Sequence, residues 1–448
     1  MKNLLILILL FTSIAVNAQK KKLTDEEKIY GLSLIWQEVN YNYAYMENYN
    51  LDWDSVYIAN IPKVMAAKNR IEYYTIMSKI MNSFHEGHTF VGVPVELAQQ
   101  MYGYVSISMS FINGKYYVTK FLSEYKDKIF IGSILTSVNG YDVDEYFNKF
   151  VFPNNNLAEH IAKRQSGKGR FFVGLPNKKL TATFLNSNGK TVSLKLKRVP
   201  YFADNSETIE VPKMYEDTVF LHKKYGDISY IRINSFKSNT PNTSFAKIID
   251  SLKNSKAIIF DIRGNRGGST PLEIISYFSD KKSIPLWWGQ MKVNRSYYKA
   301  TGASTYLHGD SLAKAKNFFA DYVTLSHFEG SQYNYSNNTN GDLKDIPVVV
   351  LCNYLTESAA ESFIIMLKQV ASVTVIGEPT AGSSTMPLEV PLPGGGFVKI
   401  SSVKGLDENG KPYTYTQPDI VHIPSLEDEK KGTDSVLQKA LDFINDMD

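Results

Sequence analysis

A single cysteine stands among 448 residues. With no second thiol, no intrachain disulfide can form, so stability has to come from packing even in an oxidising compartment. The lone thiol, Cys352, ends the apolar run Val348-Val349-Val350-Leu351-Cys352, where burial is its expected role. An excess of either charge is also lacking: 49 Lys and Arg against 45 Asp and Glu leave a net charge of +4. No dense Lys/Arg stripe interleaved with aromatics follows the N-terminus, so nucleic acid is not an expected partner. Nor does any stretch past the N-terminus hold the roughly 20 apolar residues of a membrane span. What remains, 43% hydrophobic and 21% charged residues, is a globular composition rather than that of a disordered chain. At about 100 to 200 residues per domain, the length predicts two to four domains.

The segment 1–18 combines Lys2, an apolar stretch from Leu4 to Leu10 that continues to Val16, and the small-residue ending Val16-Asn17-Ala18. This is the pattern of a secretory signal peptide, with cleavage expected after Ala18. A membrane anchor is the competing reading, but the apolar part is shorter than a span, and Lys20-Lys21-Lys22 follow at once. No cysteine lies near the cut, which excludes lipid attachment there. The mature chain is expected to begin at Gln19, exported to the periplasm or the extracellular space, with no integral membrane segment.

Residues 19–98 are predicted to form a helical domain. Thr24 and Glu27 make a capping box, Ile29, Leu32, Leu34, Ile35 and Val39 recur at helical spacing, and a second helix over about 70–84 runs into His85-Glu86-Gly87-His88-Thr89. Residues 99–200 change to strands with turn signals at Asn113-Gly114, Asn139-Gly140 and Asn188-Gly189. Tyr102-Gly103-Tyr104-Val105, Gly132-Ser133-Ile134-Leu135 and Val138-Asn139-Gly140 resemble a degenerate PDZ domain, which takes an extended peptide as an added strand; a β module used only for packing is the alternative. From 201 to 448 strands alternate with helices, as in an α/β domain with a largely parallel sheet. Strand 257–262 leads through a glycine-rich turn to Thr270-Pro271-Leu272-Glu273, read as a capping box with proline at the first helical position. Strand 346–352, helix 358–370 and strand 373–376 form a βαβ unit, with functional groups expected at the carboxyl ends of the strands. An insertion over about 282–344 reads as a lid or surface elaboration.

Two segments carry chemistry. Ser358-Ala359-Ala360-Glu361 opens a helix, where free amides and the positive end of the dipole favour a developing oxyanion; S-x-x-E is equally the signature of an ordinary capping box. Asp261-Ile262-Arg263-Gly264-Asn265-Arg266-Gly267-Gly268 leaves a strand and ends on two residues without side chains, which let a substrate carbonyl approach backbone amides; a tight βα turn that needs glycine is the alternative.

In this order and spacing the motifs resemble the family of C-terminal-processing and tricorn-like serine peptidases. The family's Asp-(Leu/Ile/Val)-Arg-x-Asn-x-Gly-Gly turn is matched by Asp261 to Gly268, and its Ser-Ala-x-Glu helix start by Ser358 to Glu361. Its Val-x-Gly-Glu-x-Thr-x-Gly segment is matched by Val375-Ile376-Gly377-Glu378-Pro379-Thr380-Ala381-Gly382, and its closing Pro-Asp-Ile by Pro418-Asp419-Ile420. The resemblance implies an α+β multidomain fold: an N-terminal helical segment, the PDZ-like β domain and a C-terminal α/β core of crotonase/Clp-like type. It also implies hydrolysis of a peptide or protein substrate through an acyl-enzyme on Ser358, with no cofactor or metal. The oxyanion hole would be the amides of Ala359 and of Gly267 or Gly268.

A serine hydroxyl needs a partner to take its proton. One branch of the family uses a lysine after the Gly of the Thr-x-Gly segment, but Ser383 occupies that position here. The tricorn-like branch uses a histidine, and Gly87-His88-Thr89 resembles its Asp-Gly-His-Thr pattern, with Glu86 in place of the Asp; His88 is the expected base. Lys368, ten positions after Ser358, lies about 15 Å along a helix at about 1.5 Å per residue, out of reach. The family's Glu shortly before the final Pro-Asp has no counterpart in 411–417, leaving Glu86 and Glu361 as candidates to orient the imidazole. His85 and His88 lack a third ligand and the spacing of a metallopeptidase helix. Two other functions compete: a catalytically silent relative that only binds peptides, and a crotonase-like acyl-CoA enzyme, which export disfavours.

Overall fold

The computed structural model describes residues 22–49, 51–200, 207–293, 327–383, 386–406 and 413–447; the predicted signal peptide over 1–18 lies outside them. Three α-helices open the described part of the chain. Helix α1 (Asp25–Asn42) starts on the expected capping box, in which the Thr24 hydroxyl accepts from Glu27 N and the Glu27 carboxylate accepts from Thr24 N. Helices α2 (Trp53–Ala66) and α3 (Arg70–Asn82) are capped by Asp52 and Asn69. Their inward faces bury Leu32, Ile35, Val39, Val64 and Met77 against Tyr43, Trp53 and Phe84. Strand β1 (Phe90–Gly92) follows the turn that carries His88.

The β module is built on asparagine–glycine turns. Strands β2 (Ser108–Ile112) and β3 (Lys115–Leu122) are joined at Asn113 and Gly114, with φ of 47° and 77°, the two positive values a type I′ hairpin requires. Strand β4 (Ile134–Val138) turns back at Asn139 and Gly140, φ 52° and 84°. Strands β5 (Lys179–Leu185) and β6 (Thr191–Lys197) extend the sheet, with Leu180, Ala182 and Phe184 packed inward beside Leu194 and Leu196, and Thr208–Glu210, past the expected boundary at 200, pairs with β3. Helix α4 (Glu159–Ser166) lies along β2. The outer edge of β2 is engaged by the chain itself. Met109 N donates to Gly167 O at 2.7 Å, Arg164 donates to Phe111 O at 3.0 Å, and a Cβ on Gly167 would stand 2.3 Å from Met109 O. Gly103 is likewise paired with Gly174.

The C-terminal core holds strands β7 (Leu221–Tyr225), β8 (Ile228–Arg232) and β9 (Ala257–Asp261). The insertion contributes β10 (Ser283–Val293) and β11 (His327–Ser336), an antiparallel pair, and its residues 294–326 lie outside the described ones. Then come β12 (Val348–Cys352), helix α5 (Ala359–Val370) and β13 (Val373–Gly377), followed by β14 (Pro387–Pro391), β15 (Phe397–Ser401), β16 (Val403–Leu406), β17 (Ile420–Val421) and helix α6 (Ser435–Asn445). The main sheet has six strands in the order β7-β8-β9-β12-β13-β17, parallel except for β7. Strands β8, β9 and β12 are buried throughout, as parallel strands covered on both faces must be. Helix α5 covers one face, with Phe363, Ile364 and Leu367 in the core, and α6 the other, with Val436, Ala440 and Ile444.

Two features depart from local pattern. The capping box expected at Thr270-Glu273 is not made: the short helix Leu272–Ser276 has Pro271 at its N-cap and no side-chain cap bond. Ser269 N is held by Phe236 O at 2.8 Å, and the chain enters the helix one residue later than the pattern predicts. The helical region also shares its core with late chain, since β1 pairs with β15, and Leu392, Val398 and Ile400 are buried among the N-terminal helices.

Candidate active site

Strand β12 delivers loop 353–358, which its neighbours hold on both sides. Asn353 Oδ1 accepts from Gly264 N at 2.9 Å, the Thr356 hydroxyl donates to Ile262 O at 3.1 Å, and Glu357 N donates to Asn265 O at 3.0 Å. On the far side Ser358 N donates to Gly382 O at 2.9 Å. Held this way, Ser358 adopts φ 61° and ψ −124° at the N-cap of α5, a strained turn between strand and helix that projects the serine side chain. The capping-box alternative does not apply, because the Ser358 side chain makes no cap bond. Glu361 faces away: its fully buried carboxylate accepts from Gly382 N (2.8 Å), Thr416 N (3.1 Å), Thr416 Oγ1 (2.7 Å) and the Tyr413 hydroxyl. Burial pushes its pKa up while these donors pull it down, the former prevailing.

The glycine turn packs directly on this serine. A Cβ on Gly267, φ 79°, would stand 2.8 Å from both Ala359 N and Ser358 Cβ, so only glycine fits. The Gly267 amide is already given to Asn265 Oδ1 at 2.9 Å. Gly268, φ 135°, is pressed on Phe236, with a Cβ position 2.3 Å from its carbonyl oxygen. Neither Gly268 N nor Ala359 N has a backbone acceptor among the described residues. Beneath the turn Arg263 is bidentate to Asp261 (2.9 and 2.7 Å) and to Asp434 of the α6 N-cap (2.6 and 2.6 Å). Burial alone would raise the Asp261 pKa, but Arg263 and Arg232 hold it down at about 2.

His88 reaches the same loop from the N-terminal region. Glu86 accepts from His88 N (3.1 Å), the Thr89 hydroxyl (2.5 Å) and the Ser401 hydroxyl (2.6 Å), fastening the turn to β15. A Cβ on Gly87 would stand 2.2 Å from Ser383 Oγ. Burial lowers the His88 pKa, opposed by the Glu86 charge and by a backbone hydrogen bond with Ser383. His88 Nδ1 is buried without a partner. The segments that carry Ser358 and His88 therefore touch adjacent residues of one loop, Gly382 and Ser383, and among the described residues no hydrogen bond joins the two side chains. His85 is committed elsewhere, its Nδ1 on Asn155 O at 3.0 Å and its ring stacked on Phe152. Lys368 is paired with Asp419 at 3.3 Å. The sequence offered no signal for Ser383 except the lysine it replaces, and none for Tyr413 and Thr416, which act through Glu361.

Residues 227–422 match the family model Peptidase family S41. Similar curated proteins include the carboxy-terminal processing proteases CtpA and CtpB of Bacillus subtilis (strain 168). CtpA is 27% identical over 280 residues, 58% of this chain and 50% of that protein. CtpB is 26% identical over 229 residues, 50% and 40%. The chain spans about half the length of the curated relatives it matches. Among solved structures, mature CPAF shares the fold with a TM-score of 0.67 at 15% identity, covering 94% of this chain and 98% of that one. A putative peptidase from Parabacteroides merdae ATCC 43184 gives 0.52 at 19% identity, covering 95% and 97%.

Proposed function

We propose, from the premise that residues 227–422 carry a peptidase family S41 core, that this chain hydrolyses peptide bonds through an acyl-enzyme on Ser358. One observation carries the reading: Ser358, at a positive φ on the N-terminus of a buried helix, has Gly267 packed on its Cβ, and the amides that follow each of them, Ala359 N and Gly268 N, have no backbone acceptor among the described residues. Ser358 Oγ attacks the scissile carbonyl carbon, the C=O electron pair moves onto oxygen, and the two amides stabilise the oxyanion. His88 takes the hydroxyl proton and returns it to the leaving amine as the C–N bond breaks. Water then attacks the ester carbonyl, passing a proton to His88, which returns it to Ser358 Oγ as the acyl C–O bond breaks and the acid product leaves. Gly267 serves by shape, since its amide belongs to Asn265. The Ser383 main chain favours the charged imidazole of His88, and Glu361 positions the 380–383 loop through Gly382 N. A contact between Ser358 and His88 that forms only when substrate binds is common for catalytic hydrogen bonds. The relatives named as processing proteases support a peptide or protein substrate, and the 1–18 segment supports export, with Gln19 as the mature N-terminus.

The catalytically silent, peptide-binding reading is favoured by one observation, the unpartnered His88 Nδ1. Labelling with a fluorophosphonate separates the two. The intact chain should label and Ser358→Ala should not; absence of label on the intact chain would leave the binding-only reading standing.

A further inference from the structure

Beside the 381–383 loop a half-open cavity of about 270 Å³ lies where the helical region, the β module and the C-terminal loop 413–415 meet. It adjoins the serine closely, because Ala381 and Ser383 line it and the residue between them, Gly382, holds Ser358 N. Its size falls just below the roughly 300–1,000 Å³ of pockets that enclose a drug-sized ligand, so it suits a single side chain. The floor is apolar: Leu157 and Ile161 are buried beside Tyr45, Tyr49 and Tyr413.

All three tyrosine hydroxyls are already engaged. Tyr45 accepts from Gly405 N at 3.1 Å, Tyr49 donates to Phe84 O, and Tyr413 donates to Glu361. Glu86, the acid in its wall, has its carboxylate bound to Thr89, Ser401 and His88 N. Burial holds the wall histidine His85 below the ordinary imidazole range, which leaves it uncharged near neutral pH. His160 and Tyr415, ring centroids 5.0 Å apart, form an exposed rim with Ala158.

We infer that this cavity is the specificity pocket for one substrate side chain flanking the scissile bond, and that it selects large uncharged residues, aromatic first. Aromatic rings bury the most apolar area per side chain and stack on ring faces, whereas a carboxylate would enter a cavity whose lining holds no lysine or arginine to pair with it. The inference rests on the peptidase reading above.

Digestion of a peptide library read by mass spectrometry tests it. One position next to the cut should favour Phe, Tyr, Leu and Met over Ala, and exclude Asp and Glu, with the Phe-to-Ala ratio of kcat/KM at least about 10-fold, the low end for a hydrophobic pocket. Ala158→Trp, at an exposed rim position, should lower that ratio by at least about 10-fold by filling the mouth, and Ala158→Leu should lower it less. Cleavage without such a preference, or with one that Ala158→Trp leaves unmoved, overturns the pocket and spares the peptidase reading. If nothing is cleaved, the peptidase reading falls and saturation-transfer NMR decides the pocket. N-acetyl-phenylalaninamide should then bind the intact chain better than N-acetyl-aspartamide, and less well after Ala158→Trp; equal signals overturn it.

Discussion

Gly264 and Gly267 have the same φ of 79°, yet a Cβ on Gly264 meets nothing within 4 Å, whereas one on Gly267 meets Ala359 N and Ser358 Cβ at 2.8 Å and Glu357 O at 2.9 Å. Alanine at the two positions therefore separates backbone strain from contact with the nucleophile. Both variants carry the cost of a left-handed non-glycine residue, about 1–2 kcal/mol. Gly267→Ala adds an overpacking cost of about 1–3 kcal/mol, because two of the atoms it meets are main chain and the third is a Cβ, none of which swings away as the end of a flexible side chain does. The total is about 2–5 kcal/mol, against about 1–2 kcal/mol for Gly264→Ala. Relief requires the turn to move away from Ser358, which carries Gly268 with it. Losing one oxyanion donor costs roughly 10²–10³ in rate, so the rate of fluorophosphonate labelling should fall by that order in Gly267→Ala and stay near that of the unaltered chain in Gly264→Ala. Urea unfolding supplies the stability difference, read from midpoints at a common slope. Equal midpoints and equal labelling rates for the two variants would refute the placement of Gly267 against the nucleophile.

Ser358→Ala should abolish labelling with stability nearly unchanged, since no cap bond is lost, and Ser358→Gly should raise the unfolding free energy by about 1 kcal/mol as the positive φ is relieved; a large loss of stability in either would contradict the geometry. His88→Ala should remove most turnover, while in the intact chain activity should rise with pH through a group titrating below the usual imidazole value of about 6.5; Lys368→Ala should leave that profile in place. The same histidine has a stability signature: with its folded pKa depressed by burial, the unfolded chain binds the proton first, so its contribution is full above about pH 6.5 and is lost as pH falls toward the folded pKa. Stability measured from pH 8 down to 5 should show a shallower acid loss in His88→Ala than in the intact chain. Asp434→Ala leaves the buried Arg263 with one carboxylate instead of two, and calorimetry should report a loss of about 3–5 kcal/mol.

The turn at Asn113-Gly114, the capping box at Thr24 and Glu27 and the strand-then-helix placement of Ser358 were legible in the sequence. Each depends on φ preferences or hydrogen bonds spanning a few residues, and those forces act in any context. The same local reasoning failed at Thr270-Glu273, where a bond from Ser269 to Phe236, more than 30 positions earlier in the chain, delays the helix. It also left Gly267 and Gly268 equivalent. Their difference comes from atoms outside the two glycines: Asn265 Oδ1 takes one amide, and Ser358 Cβ with the main chain of Glu357 and Ala359 fills the space a Cβ would need. Motif likeness singled out His88, but periodicity holds no information about which distant segment it faces. Only the packed structure brings it to Ser383, lays β14 and β15 into the N-terminal core and encloses the cavity beside Ser383. Tertiary structure decides such contacts because apolar burial is non-directional, so a buried face specifies that it will be covered and leaves its partner to the shape of the whole chain.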